Sequence, residues 1–264
     1  MRPLAELHAP ARLRGLLFDV DETLTTEGRL TAHAYAALER LKNAGKIVVP
    51  VTGRPAGWCD HIARMWPVDG VVGENGAFWF RHDNGKLIKK YHDAEETRAR
   101  NRKRLAAIGE RILAQVPGCA LASDQPYRET DLAIDYCEDV PPLPLEAAQR
   151  IAALMRSEGL SAKVSSIHVN GWFGTYDKLA MCKRLFAEAF DCAAAPLQTD
   201  FAFAGDSPND APMFAFFEHS VGVANVERFR GALEAEPKYV TRAAAGAGFA
   251  ELAAHLLAHS QGTA

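Results

Sequence analysis

The sequence has few cysteines and no pair of them at metal-binding spacing. Its five cysteines are scattered over 264 residues without a CxxC pattern, so neither a disulfide framework nor a cysteine-based zinc site is expected. Buried thiols in a reducing compartment account for such cysteines. We therefore expect a cytoplasmic protein.

Long apolar runs and an excess of basic charge are also missing. No run of about 18 apolar residues occurs, which argues against a membrane span. The chain carries 30 Lys and Arg against 33 Asp and Glu, a formal net charge of −3, with no basic footprint for nucleic acid or anionic lipid. The expected partner is a small soluble molecule, with no nucleic acid and no membrane, and the protein is expected to be a monomer or a homodimer.

The N-terminal residues 1–14 mix Leu, Ala, Glu, His and Arg and lack the apolar core of a signal peptide. This pattern predicts a lightly packed lead-in to the first strand.

Two acids follow the first short apolar run of the chain. Leu16-Leu17-Phe18 precedes Asp19 and Asp21, and Thr23 stands two positions further on. The run predicts a buried strand, and residues just past the carboxyl end of a parallel strand face a ligand crevice. Two carboxylates there repel each other unless a cation lies between them, and hard oxygen ligands favour Mg²⁺. The alternative interpretation is a polar strand end followed by a helix cap.

A second predicted strand, over residues 46–51, ends in Thr52-Gly53-Arg54-Pro55. A hydroxyl and free N–H groups at the start of a helix can hold a phosphate, although a simple turn capped by Thr52 has the same pattern. The short third strand, over residues 70–73, leads into Glu74-Asn75-Gly76-Ala77, where the Asn-Gly pair by itself indicates a turn.

Two later segments also place charged residues at the ends of elements. Asp177-Lys178 opens an amphipathic helix, and a lysine in the first turn runs against the helix dipole, so either a functional lysine or a solvated one is indicated. The buried strand over residues 201–204 ends in Gly205-Asp206-Ser207-Pro208-Asn209-Asp210, where acids and an amide again crowd one strand end.

Between residues 82 and 170 the elements no longer alternate as simple crossovers. Strand patterns and two long helical patterns predict an α+β module inserted into the first domain. In its last strand, His168 and Asn170 lie on one face by the two-residue period. They either contact substrate or form the polar outer face of a sheet.

The run Asp19-Val20-Asp21-Glu22-Thr23 resembles the DxDxT signature of the haloacid dehalogenase-like phosphohydrolases. The Thr52, Lys178 and Gly205–Asp210 segments resemble that family's remaining motifs in order, and residues 74–77 resemble an ENGA element of its large-cap branch, subfamily IIB. One departure is Glu22, where that branch more often has glycine. The resemblance covers nearly the whole chain.

This resemblance implies an α/β fold: a Rossmann-like parallel-sheet core with helices on both faces, formed by residues 1–82 and 171–264, plus an inserted α+β cap domain, residues 83–170. It also implies a phosphomonoester hydrolase in which Asp19 attacks phosphorus, Asp21 serves as acid and base, and Lys178 neutralises charge, with Mg²⁺ as cofactor. Patterns and resemblance together predict the following sets. The catalytic set is Asp19, Asp21, Thr52 and Lys178, the substrate-binding set is Thr52, Gly53, Arg54, Asn75, His168, Asn170 and Lys178, and the metal set is Asp19, Asp21, Asp206, Asn209 and Asp210.

The expected substrate is a small phosphorylated metabolite, in the first place a sugar phosphate, because the large-cap branch includes sucrose-phosphate and trehalose-phosphate phosphatases. Two other functions stay open. One is a phosphomutase of the phosphomannomutase type, for which Arg128 could bind a second phosphate. The other is a catalytically silent module that binds a phosphorylated metabolite, although intact Asp19, Asp21, Lys178 and Asp206 argue against it.

Overall fold

The computed structural model describes residues 1–8, 13–165 and 167–260, which form three sheets and eight α-helices. The strands are β1 (Arg2–Pro3), β2 (Gly15–Phe18), β3 (Ile47–Pro50), β4 (Val71–Gly73), β5 (Phe78–Asp83), β6 (Lys86–Tyr91), β7 (Ala120–Leu121), β8 (Asp131–Asp135), β9 (Ser161–Val164), β10 (His168–Trp172), β11 (Phe201–Gly205), β12 (His219–Gly222) and β13 (Tyr239–Val240). The helices are α1 (Ala32–Asn43), α2 (Ala56–Met65), α3 (Glu95–Gln115), α4 (Leu145–Ser157), α5 (Lys178–Phe190), α6 (Ala194–Asp200), α7 (Ala211–Phe216) and α8 (Ala245–Ser260).

The largest sheet has six parallel strands in the order β1-β13-β12-β11-β2-β3. Strand β2 lies between β11 and β3, so the chain leaves it toward one side and later returns on the other. The crevice at such a switch point, beyond the carboxyl ends of the strands, is where open parallel sheets bind ligands. The residues after β2 and β11 therefore meet at the same edge.

Helices cover both faces of this sheet. The side chains of β2 point alternately to the two faces, so each face has apolar residues that pack against helices. Leu16 and Phe18 pack against α1 and α8, and the Phe18 and Phe249 ring centroids are 4.9 Å apart. Leu17 packs on the opposite face, in a core that includes Phe186 of α5 and Phe214 of α7. The parallel core with helices on both faces is confirmed.

The insertion has its own core. Strands β7, β8, β10 and β9 form an antiparallel sheet in that order, and α3 and α4 pack on it through residues such as Ile108, Ile134 and Ile151. This is the α+β module that the element pattern predicted. The predicted division at residues 82 and 170 remains a prediction, and two hairpins cross these positions: β5 pairs with β6, and β10 extends to Trp172.

Two details differ from the expectations. The lead-in prediction was wrong for the described part of residues 1–14: β1 pairs with β13, and Leu4, Leu7 and Leu13 are buried in the main core, while residues 9–12 lie outside the described residues. The predicted third strand, β4, exists but belongs to a separate antiparallel sheet with β5 and β6, joined to the main sheet by a single parallel bridge from Val72 to Val51. Within the described residues, no helix has the length and apolar character needed to cross a membrane.

Candidate active site

Three aspartates meet where β2 and β11 end. Asp19 follows β2, and Asp206 and Asp210 follow β11; all three are buried, and each offers a carboxylate oxygen within 4.8 Å of the other two. The backbone holds the two strand ends together, because the Asp19 N–H donates to the Ala204 carbonyl at 2.9 Å. We call Asp19, Asp206 and Asp210 the carboxylate cluster.

Lys178 binds two members of this cluster. Its Nζ lies 2.8 Å from Asp19 Oδ1 and 2.9 Å from Asp210 Oδ1, and the lysine side chain is only 5% exposed. Burial disfavours the lysine charge, but Asp19 and Asp210 outweigh that effect and raise the pKa of Lys178. The lysine is therefore a fixed cation beside Asp19, and the alternative of a solvated lysine does not apply.

The position of Lys178 depends on the turn at residues 74–76. Helix α5 begins at Lys178, and the Asp177 side chain caps it by accepting from the Ala180 N–H at 2.7 Å. Gly76 has φ +106°, and a Cβ there would lie 2.1 Å from the Asp177 carbonyl oxygen. Only glycine lets this turn approach the start of α5 so closely.

The residues after β11 hold Asp206 and Asp210 in place. Asp210 Oδ2 accepts the Asp206 N–H at 3.1 Å, and a Cβ on Gly205 would lie 2.5 Å from the same oxygen. Asp206 accepts from the Thr23 hydroxyl at 3.4 Å and from Asn225 Nδ2 at 2.9 Å. Asn225 also donates to the Glu22 carbonyl, so it links the β11 loop to the loop after β2.

The charge of the cluster is only partly compensated. Burial raises the pKa of Asp19 to about 7; Lys178 opposes this shift, while Asp210 and Asp21 add to it. Burial, Asp19 and Asp210 likewise raise the pKa of Asp206. Lys178 pairs with only two of the three buried carboxylates, and this excess of oxygen donors and negative charge fits a hard divalent cation.

Asp21 is not part of this cluster, because its carboxylate pairs with Arg54. Arg54 Nη2 lies 2.9 Å from Asp21 Oδ1, and Nε lies 3.1 Å from Oδ2. The same guanidinium lies 2.7 Å from Glu138 Oε1, which comes from the insertion. Arg54, predicted to contact substrate, is thus held by acids on both sides. The Arg54 and Glu138 side chains are 4% and 26% exposed.

Thr52, Gly53 and Asn75 lie around the turn before α2. The Thr52 hydroxyl is buried and accepts the Arg54 N–H at 3.0 Å. The Gly53 carbonyl accepts from Arg128 Nη1 at 2.9 Å. Asn75 is buried with φ +56°, and its Nδ2 has no hydrogen-bond partner among the described residues. A buried amide without a partner is costly, so Asn75 has a donor to offer a ligand.

The predicted cap residues face Asp19 across a narrow gap. His168, Asn170 and Asn209 line a cavity of about 20 Å³ together with Asp19 and Asp21. Both cap side chains are buried: His168 Nε2 lies 2.8 Å from Glu138 Oε2 without hydrogen-bond geometry, and Asn170 Nδ2 donates to Asp131 Oδ2 at 2.9 Å. Asn209 accepts from the Ser207 hydroxyl at 2.6 Å. The polar-outer-face interpretation of His168 and Asn170 is therefore wrong.

A second ionic group fastens the insertion to the core. Arg128 Nε and Nη1 bind Asp124 and Asp131 at 2.9 and 3.0 Å. Glu74 accepts from the backbone N–H groups of Ala56, Glu129 and Thr130 and from the Thr130 hydroxyl. We call Glu74, Asp124, Arg128 and Asp131 the cap clamp.

Sequence reasoning missed the roles of Glu74, Glu138 and Asn225. Glu74 stands in the turn that was singled out for Asn75, and a glutamate directly after an apolar strand was a usable signal. Asn225 lies shortly after β12, at the same sheet edge as the acids. Glu138 lies in the insertion, and no local pattern marked it.

Comparisons with known proteins agree with this geometry. Residues 16–101 match the family model described as haloacid dehalogenase-like hydrolase. No curated protein matches the chain. Solved structures with the same fold include protein 0175 of Thermoplasma acidophilum, with a TM-score of 0.71, 17% identity and coverage of 93% of this chain and 98% of that one.

Two further structures resemble the chain over most of its length. The C-terminal domain of Candida albicans trehalose-6-phosphate phosphatase has a TM-score of 0.68 at 14% identity and covers 98% of both chains. The sucrose-phosphatase of Synechocystis, solved with sucrose and phosphate, has a TM-score of 0.62 at 14% identity and covers 92% of this chain and 98% of its own. At such identities the likeness shows a shared fold.

Proposed function

We propose that this chain, which belongs to the haloacid dehalogenase-like hydrolases, is a Mg²⁺-dependent phosphatase that hydrolyses a small phosphomonoester through an aspartyl-phosphate intermediate. The observation that carries the proposal is Lys178 Nζ lying between Asp19 and Asp210, beside Asp206, at the carboxyl ends of neighbouring parallel strands. A buried carboxylate with a fixed cation beside it is suited to attack phosphorus, because the lysine offsets the charge that gathers there.

In the first step an Asp19 carboxylate oxygen forms a bond to phosphorus while the bond from phosphorus to the ester oxygen breaks. The departing alkoxide takes a proton from Asp21. In the second step Asp21 removes a proton from water, the resulting hydroxide attacks phosphorus, and Asp19 and inorganic phosphate are released. Lys178, the Thr52 segment and the free Nδ2 of Asn75 would bind the phosphoryl oxygens.

The buried oxygen donors at this edge fit Mg²⁺, which Asp19, Asp206 and the Asp21 main-chain carbonyl would hold, with Asn209 and Asp210 completing or supporting that set. When bound, the ion would offset charge on the phosphoryl oxygens. Asp210 is better suited to support than to direct ligation, because Lys178 and two backbone N–H groups already occupy its oxygens.

Two observations bear on the alternatives. Arg128, the residue that kept a phosphomutase open, has Asp124, Asp131 and the Gly53 carbonyl as partners, so it is not available for a second phosphate. A silent module has no need of the Asp19–Lys178–Asp210 arrangement. Sugar phosphates remain the first substrate class to test, since the names of two proteins with this fold include trehalose-6-phosphate phosphatase and sucrose-phosphatase.

The decisive experiment measures inorganic phosphate release from a panel of sugar, polyol, aromatic and nucleotide monophosphates, with Mg²⁺ and with EDTA. We expect release from at least one member that requires Mg²⁺ and stops with EDTA. No release from any member by folded protein would contradict the phosphatase. Turnover of a hexose monophosphate only after addition of its bisphosphate, without phosphate release, would favour the mutase.

A further inference from the structure

Three cavities adjoin Asp21, and they differ in volume and in the chemistry of their walls. The polar cavity between Asp19, His168 and Asn170 has a volume of about 20 Å³, which is room for roughly one water molecule. On the other side of Asp21 lies a cavity of about 480 Å³, within the roughly 300–1,000 Å³ range of small-molecule sites. The third cavity, of about 230 Å³, is lined mainly by charged groups, among them Glu22, Glu27 and Glu138. An apolar organic group therefore fits the cavity of about 480 Å³ best.

The largest of these cavities is mainly apolar and aromatic. Its walls include Leu30 from the loop after β2, Trp58 and Ile62 from α2, Trp66 just after α2, and Tyr127 from the insertion. The polar groups that it presents are few, chiefly Asp21, Thr25 and His61. A wall of this kind can cover a flat apolar face of a ligand and remove it from water. It offers few hydrogen-bond partners to the hydroxyl groups of a sugar.

The cavity of about 480 Å³ borders Asp21, a proposed catalytic residue that also borders the small polar cavity beside Asp19. The Arg54 guanidinium, which holds Asp21, lies 4.4 Å from the centre of the Trp58 ring. A leaving-group oxygen within reach of Asp21 would therefore direct its carbon skeleton toward Trp58.

We infer that this cavity, formed by Leu30, Trp58, Ile62, Trp66 and Tyr127 beside Asp21, is the leaving-group site and selects phosphomonoesters whose organic group has an aromatic or other flat apolar face. This inference rests on the proposed function and narrows its substrate class. A bare hexose phosphate would leave most of the cavity wall without a partner, whereas a ring attached through a short linker to the ester oxygen would cover it.

The test compares three phosphate esters of primary alcohols: 2-phenylethyl phosphate, glucose 6-phosphate and glycerol 3-phosphate. All three release alkoxides of similar chemistry, so differences report binding of the organic group. We expect kcat/KM to be at least about tenfold higher for the phenylethyl ester, the lower end of what apolar pocket contacts provide. Equal or lower kcat/KM for that ester would overturn the inference while leaving the phosphatase intact.

Substitutions on opposite walls locate the effect. Trp58→Ala and Tyr127→Ala should each lower kcat/KM for the phenylethyl ester about tenfold and change that for glycerol 3-phosphate less than twofold, and Trp58→Phe should restore most of the loss. The two side chains are 42% and 59% exposed, so both variants should fold. Met65→Ala is the matched control, because Met65 is an exposed apolar residue of α2 outside the cavity lining. An equal loss for both esters would contradict a leaving-group site.

Binding of the product alcohol separates the two proposals. Titration of the wild-type protein with 2-phenylethanol should change the tryptophan fluorescence saturably, and Trp58→Ala and Tyr127→Ala should each weaken the apparent affinity, whereas Met65→Ala should not. This result without any phosphate release would contradict the phosphatase but support the cavity. Phosphate release without saturable binding of the alcohol would do the reverse.

Discussion

The carboxylate cluster together with Lys178 has the same formal composition as the cap clamp but different surroundings. Each places three carboxylates around one basic side chain, Lys178 in the cluster and Arg128 in the clamp. In the clamp, the carboxylate oxygens accept hydrogen bonds from several donors: Glu74 alone accepts from three backbone N–H groups and a hydroxyl. In the cluster, among the described residues, Asp19 accepts only from Lys178.

This difference distinguishes a structural ionic group from a reactive one. A buried carboxylate supplied with donors gains little from a ligand, whereas one that faces other carboxylates is stabilised by an added cation. The clamp therefore fastens the insertion to the core, whereas the cluster is the place where the proposed function requires a metal and a phosphoryl group to bind.

The largest effect is expected for Asp19→Asn. The amide keeps the shape of the side chain but removes the carboxylate proposed to attack phosphorus, so phosphate release should fall by at least about 10³-fold while the fold stays intact. Phosphate release and the circular dichroism spectrum measure the two properties. Asp60→Asn is the control, since Asp60 is a partly exposed acid that pairs with Arg64 and Lys89. Appreciable turnover by purified Asp19→Asn would contradict the nucleophile assignment.

A smaller effect is expected for Asn225→Ala, which leaves the cluster intact but removes a donor that orients it. Asn225 binds Asp206 Oδ2 and the Glu22 carbonyl, both at 2.9 Å. Loss of a group that orients a metal ligand usually weakens metal binding about 10- to 100-fold. The Mg²⁺ concentration for half-maximal activity should rise by that factor, with kcat at saturating Mg²⁺ changed little.

The exposed Asn43→Ala provides the comparison for this Mg²⁺ titration. If Asn225→Ala lowers kcat at saturating Mg²⁺ and leaves the Mg²⁺ requirement unchanged, Asn225 does not act through Asp206.

A substitution in the cap clamp should lower the free energy of unfolding. In the wild-type protein both carboxylate oxygens of Glu74 accept hydrogen bonds. In Glu74→Gln an NH₂ group would replace one of these oxygens and would face N–H or O–H donors that then lack an acceptor. We expect a loss of about 2–3 kcal/mol in the free energy of unfolding, measured with urea. Glu158→Gln, which affects an exposed pair with Arg111, should change it by less than about 0.5 kcal/mol. Equal effects of the two substitutions would show that the clamp does not stabilise the docked insertion.

Sequence patterns predicted the cluster better than the clamp, for a physical reason. Asp19, Asp206 and Lys178 follow strand ends or open helices, and the topology of a parallel sheet brings such positions together whatever the rest of the chain does. Glu74 and Arg128 meet only because the insertion docks in one orientation, and no local periodicity encodes that docking. The same gap explains Arg54: its position in a phosphate-binding pattern was visible, but its pairing with Glu138 was not.

The smallest effect is expected at Glu138, where the insertion contacts Arg54. Burial raises the pKa of Glu138, but His168 and Arg54 outweigh it and lower that pKa from 4.5 to about 2. A lowered pKa means that the carboxylate stabilises the folded state above pH 4.5 and that this contribution is lost as the pH falls toward 2. Because the side chain is 26% exposed, Glu138→Gln should cost only about 1 kcal/mol at pH 7. The difference from wild type should shrink below pH 4.5, whereas Glu188→Gln, in an exposed pair with Arg184, should show almost none at any pH. A difference that stays constant down to pH 3 would mean that Glu138 acts through packing rather than through its charge.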